Sequence, residues 1–245
     1  MSDSKNPTAL ITEISEFKLN TGWAVIGTAI LNFEHYALLI DRYYEISPVK
    51  VVPRKLADAI LRLVGESAYM YRATLSKLQW EYLVIDTRVI TFSTQEFGPN
   101  DISGRYFDAV TDTLRWKTLG NLFALVASAI MLLPALHPLS KTSVDPLQCP
   151  AYDMLRASST CITLWREQDA ASDIAALAIY QNLIATSLWF RKTDSQTWKR
   201  MSDLAGIIFE AEVDQNAVDN NTAPAYLVKM HRCLFATAYS VDKSI

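Results

Sequence analysis

The chain is 245 residues long, half of them hydrophobic and a fifth charged, with a formal net charge of −3 and a pI near 5.6. Such a balance supplies a sizeable core but no bulk positive field for neutralising phosphates, which argues against direct nucleic-acid binding. Seven glycines are about half the usual share, too few for a turn-rich β architecture, so the composition points to helices.

The predicted elements run as follows. Residues 1–9 form a polar leader, with no basic start and apolar run of a secretory signal. Residues 10–137 form an N-terminal helical part. Within it, Leu10, Ile11, Ile14, Phe17 and Leu19 have the spacing of one short amphipathic helix. Thr21 is a candidate cap for a second helix from Gly22 to Ile46, whose apolar residues crowd every face until Glu34 and then thin to a stripe. Ser47-Pro48 ends that helix, and Pro53 starts a third, with Leu56, Ile60, Leu63 and Val64 on one side. The pattern continues through residues 73–92 and loosens near Thr91, and Gly98, Pro99 and Gly104 mark a loop.

Thr118 to Ser140 (TLGNLFALVASAIMLLPALHPLS) contains no Asp, Glu, Lys or Arg. A membrane span needs roughly 20 strongly apolar residues. Here Gly120, Asn121, Ser128 and Pro134 interrupt the run, so we read it as the buried central helix of a bundle, opening at Asp112 or Thr113 and closed by Pro134 and Pro138. The expected fold is therefore all-α, an irregular multi-helix bundle around an apolar helix near residues 113–136. A Pro-rich linker, 138–150, leads to a second helical part, 151–245. Its elements are a helix from Ala151 to Trp165, one from Ser172 to Phe190 with Ser172 as cap, one over 195–213, and a last helix from Ala225. That last helix stops without a cap or breaker, so the chain is expected to end inside an element, with apolar faces of Leu234, Phe235 and Tyr239 uncovered.

Catalytic and metal chemistry find little purchase. Asp108 and Asp112 are spaced i,i+4, as are Asp169 and Asp173. Such pairs could hold Mg2+ in an all-α enzyme, yet acids attracted to helix N-termini have the same pattern. His137, Cys149 and Cys161 lie 12 apart, unlike compact zinc spacing, and a fourth ligand would have to be His231 or Cys233. Three scattered cysteines suit a reducing, intracellular compartment and small hydrophobic side chains in the core. His35 reads as a packed residue. No nucleophile-elbow, zincin, Walker or dinucleotide glycine motif occurs.

Several blocks, taken in order, resemble the fungal-specific transcription factor domain, the middle homology region of fungal zinc-cluster regulators. They are Leu39 to Tyr44 (LIDRYY), Thr113 to Trp116 (TLRW), Tyr152 to Cys161 (YDMLRASSTC), Trp198 to Ala205 (WKRMSDLA) and Met230 to Lys243 (MHRCLFATAYSVDK). In the last block, His231 stands where the family commonly has arginine. The expected acid end of the Trp198 helix, near Glu212 to Gln215, lacks the family's histidine. The paired cysteines of the family's zinc cluster are absent, so the resemblance implies neither zinc nor DNA contact for this segment, and the family's continuation past the Asp-Lys pair is not present. It implies a truncated, non-enzymatic regulatory domain in the nucleus. Its partners would be the rest of the parent regulator, the transcription machinery or a small-molecule effector, with no membrane and no cofactor. Arg232, Asp242 and Lys243 are then structural charge ties to neighbouring helices. A stand-alone interaction or dominant-negative module is the other non-enzymatic reading.

Overall fold

A computed structural model describes residues 16–48, 50–74, 114–134, 137–140, 150–166, 172–190, 194–210, 232, 234–236 and 239. The fold is all-α, with no strand among these residues. We label the helices α1 (Glu16–Leu31), α2 (Phe33–Ile46), α3 (Arg54–Thr74), α4 (Trp116–Leu132), α5 (Pro150–Arg166), α6 (Asp173–Phe190) and α7 (Ser195–Glu210). A 3-10 turn spans Pro138–Ser140.

Helix α4 is the expected spine, and every residue from Trp116 to Ala129 is buried. It lies against α5 and α6 most extensively and against α2 on another side, while α7 packs on α6 and α3 on α2. One continuous core therefore joins residues before the Pro-rich segment to residues after it. The spine is shorter than the sequence suggests. It begins at Trp116 because the Thr118 hydroxyl folds back on Arg115, accepting from its N–H at 3.0 Å and donating to its carbonyl at 2.7 Å. It ends because Pro134 forces Leu133 into extended backbone, φ −74 and ψ 146. No described helix is long and apolar enough to cross a membrane.

The continuous helix expected from Gly22 to Ile46 is in fact two. Thr21 lies inside α1 instead of capping it, and the chain turns at Asn32, φ −108 and ψ 12. The Asn32 amide donates to the Thr28 carbonyl at 3.0 Å, and the Thr28 hydroxyl donates to the Ala24 carbonyl at 2.7 Å. Two consecutive turns thus divert backbone carbonyls to side-chain donors, a known cause of bends. The remaining boundaries follow the local rules. Ser47 before Pro48 stops α2 and takes extended backbone, φ −69 and ψ 128. Pro150 opens α5 with Asp153 in its first turn, where the helix dipole favours an acid. The Ser172 hydroxyl accepts from the Ala175 N–H at 3.4 Å at the head of α6. At α7 the cap is Asp194, whose carboxylate accepts from the Gln196 N–H at 2.8 Å.

The linker starts anchored. Leu139 of the 3-10 turn packs on the core, and its N–H donates to His137 Nδ1 at 3.2 Å. His35 of α2 sits against this turn. Burial holds its imidazole below the ordinary pKa, opposed in part by a hydrogen bond with the Leu139 backbone. Near the C-terminus Leu234 is fully buried, against the expectation of an uncovered face, whereas Phe235 and Tyr239 are exposed and stack at 6.3 Å.

Gly120 sits where α4 meets α5 and α6. A Cβ there would lie 3.5 Å from Cys161 Cβ and 3.7 Å from Ala178 Cβ, which is ordinary contact. Gly120→Ala is expected to stabilise the chain by about 0.5–1 kcal/mol through helix propensity. Gly120→Leu should destabilise it by more than about 2 kcal/mol through overpacking, both read by urea denaturation. His35 gives a second test. Above the ordinary imidazole value, near 6.5, the group is neutral in both states and contributes no pH dependence. As pH falls below it, the unfolded chain takes up a proton that the folded chain resists, so stability is lost until the lowered folded value is passed. Between about pH 7.5 and about pH 5.5, His35→Gln should lose less stability than the parent chain.

Candidate functional site

A groove of about 630 Å³ opens on the side of α5 that faces away from the spine. This volume falls within the range of small-molecule sites, roughly 300–1,000 Å³. Helical spacing builds the first wall. Tyr152, Arg156, Ser159, Thr160 and Thr163 recur on one face of α5, while Ser158, Cys161, Ile162 and Trp165 turn into the core. Leu155 and Leu164 give this wall an apolar floor. Thr186 and Phe190 of α6, Gln196 and Arg200 of α7, and Thr21 of α1 complete the enclosure.

Among the described residues the lining carries two guanidinium groups, Arg156 and Arg200, and no carboxylate. Arg200 is held from behind: its Nη1 donates to Asp203 Oδ2 at 2.8 Å, and Arg166 at the end of α5 donates to Oδ1 of the same carboxylate at 2.8 Å. Arg200 and Asp203 are only 14% and 13% exposed, so this fork fixes α7 against α5 in a partly desolvated setting. Arg156 is exposed and makes no ion pair among the described residues.

Behind the lining a buried polar chain connects the groove to the spine. The Ser158 hydroxyl donates to the Gly120 carbonyl at 2.8 Å and accepts from Asn182 Nδ2 at 2.9 Å. The same amide approaches the Ser159 hydroxyl at 3.4 Å, and Thr186 donates to the Asn182 carbonyl at 2.7 Å. Both Ser159 and Thr186 line the groove. At the mouth, Tyr152 lies 5.7 Å from Trp189 and meets the edge of Phe190 at 6.2 Å. Trp189 and Leu188 are exposed beside them, at 38% and 44%.

The residues singled out for chemistry do not meet here. Asp108, Asp112, Asp169, Cys149, His231, Cys233, Asp242 and Lys243 lie outside the described residues. Asp173 occupies the first turn of α6, where the helix dipole accounts for an acid. His137 is tied to the Leu139 backbone. Cys161 is fully buried, and burial pushes its thiol well above the ordinary value, so it packs as a small hydrophobic side chain. Arg232 is exposed. No group of three or more His, Cys, Asp or Glu able to hold a metal occurs among the described residues. The groove residues were partly legible, since the run of Arg and hydroxyl side chains at i,i+3 and i,i+4 on α5 is visible in the sequence. The opposite wall on α6 and α7 carried no comparable sign.

Compared with known protein families, curated proteins and solved structures, the chain gives no match.

The polar chain behind the groove can be tested. Ser158→Ala leaves the buried Asn182 amide without its best acceptor and is expected to destabilise by about 1–3 kcal/mol. In a double-mutant cycle with Asn182→Leu, the two losses should fall short of additivity by about 1 kcal/mol in chemical denaturation.

Proposed function

We propose that this chain is a non-catalytic regulatory domain of the kind found in fungal zinc-cluster transcriptional regulators, acting in the nucleus through small-ligand or protein contacts and not through nucleic acid. One observation carries the reading. Two blocks that resemble the middle homology region, Tyr152 to Cys161 and Trp198 to Ala205, are some 40 residues apart in sequence. In space they stand on α5 and α7, and each supplies an arginine to the same groove, Arg156 from the first and Arg200 from the second.

The physical logic of such a site is a clamp. Helix α7 is held to α5 through the Arg166–Asp203–Arg200 fork, and the groove wall is joined to α4 through Asn182 and Ser158. An occupant bridging α5 and α7 would bias how α7 sits on the bundle, which is the differential contact that any regulatory coupling requires.

The test is a reporter assay in yeast, with the chain placed between a heterologous DNA-binding module and a constitutive activation segment. The chain is expected to change reporter output by about fivefold or more relative to an inert helical insert of equal length. Output indistinguishable from that of the inert insert would sink the reading.

A further inference from the structure

We propose that the α5–α7 groove is a binding site for a small organic anion with an apolar body, of which an aromatic carboxylate is the simplest representative. The inference deepens the regulatory reading of the same groove and rests on it for its biological meaning. The charge of the lining sets the sign of the ligand: two arginines and no acid among the described lining residues repel a cation, and a neutral ligand would have to desolvate the Arg156 guanidinium without a counter-charge. An anion compensates Arg156, while Arg200, already paired with Asp203, still offers N–H donors. Guanidinium matches the planar, two-oxygen geometry of a carboxylate better than any other side chain.

Pre-organisation strengthens the case. The bond to Asp203 uses one of the five N–H donors of Arg200, and the carboxylate that fixes it is itself held by Arg166. Ordering of this side chain is already achieved before any ligand arrives. Hydroxyls supply further donors. Thr163 directs its own hydroxyl to the Ser159 carbonyl at 3.1 Å. Ser159 instead accepts from Asn182 Nδ2, which leaves its hydrogen available to an anion.

The rest of the groove dictates the body. Leu155, Leu164 and Phe190 are apolar, and Tyr152 at the mouth offers a ring face beside Trp189. Inorganic phosphate would leave these walls without a partner. A ring system of naphthalene size bearing one carboxylate satisfies both halves of the lining.

The experiment is calorimetric titration of the full chain with 2-naphthoate and with 2-naphthamide, which share a body and differ in charge. The carboxylate should bind about tenfold tighter or better, as charge-assisted pairing with arginine predicts. Arg156→Gln, at an exposed position, should remove most of that advantage. Raising the ionic strength should weaken the carboxylate alone. Arg200→Gln is the second variant, with a thermal melt to confirm that loss of the Asp203 partner has not unfolded the chain. Failure of both compounds to bind, equal binding of the two, or an advantage that survives Arg156→Gln overturns the proposal. The reporter assay separates the two ideas: binding without a reporter effect retains the site and removes the regulatory role, and a reporter effect without binding does the reverse.

Discussion

A helix with no charged side chain from Thr118 to Leu132 has no face that water solvates well, so the structure depends on covering it completely. Helices α2, α5 and α6 meet that demand by surrounding α4, which leaves its residues from Trp116 to Ala129 buried. The arrangement brings its own constraint, because α4 is not purely apolar. Asn121, Ser128 and Thr118 go into the core with it and each needs a hydrogen bond there. Thr118 bonds to Arg115 and Ser128 donates to the Ala124 carbonyl, while Asn121 reaches across to the Ile174 carbonyl of α6 at 3.1 Å. Gln181 of α6 returns the contact, donating to Ser128 at 3.0 Å. These cross-helix bonds fix register between helices whose apolar surfaces alone would slide, since α6 is apolar on nearly every side.

The charged end of the spine is handled differently. Lys117 is buried, and its Nζ donates to the Ser172 hydroxyl at 3.1 Å while lying 5.8 Å from the Trp165 ring. A cation over an aromatic face with a hydroxyl acceptor offsets part of the desolvation of a partly enclosed ammonium. Ser172 also caps α6, so one side chain joins the start of α6 to the start of α4. The groove is built on the far side of this framework. Its lining residues Ser159 and Thr186 belong to helices whose opposite faces are locked to the spine, which is how a surface cleft acquires a rigid wall.

The amino-acid sequence by itself determined the helical class, the burial of the central segment and most helix ends, because each depends on local chemistry. Proline restricts the residue before it, as at Ser47 and Leu133. Ser172 and the acids Asp153 and Asp173 match the needs of helix N-termini, and periodicity marks the buried stripe of α3. The break at Asn32 was also local in origin, yet it was hidden by the apolar residues that crowd both sides of it. Only the tertiary structure decided the groove. Arg156 and Arg200 are 44 positions apart, and nothing in a one-dimensional pattern brings α5 and α7 to a common cleft. That meeting follows from the packing of α5 and α6 on α4 and of α7 on α6, and from Asp203, whose single carboxylate draws two arginines from different helices. Spacing along one helix is encoded by its period, whereas proximity between helices is a property of how their buried faces share one core.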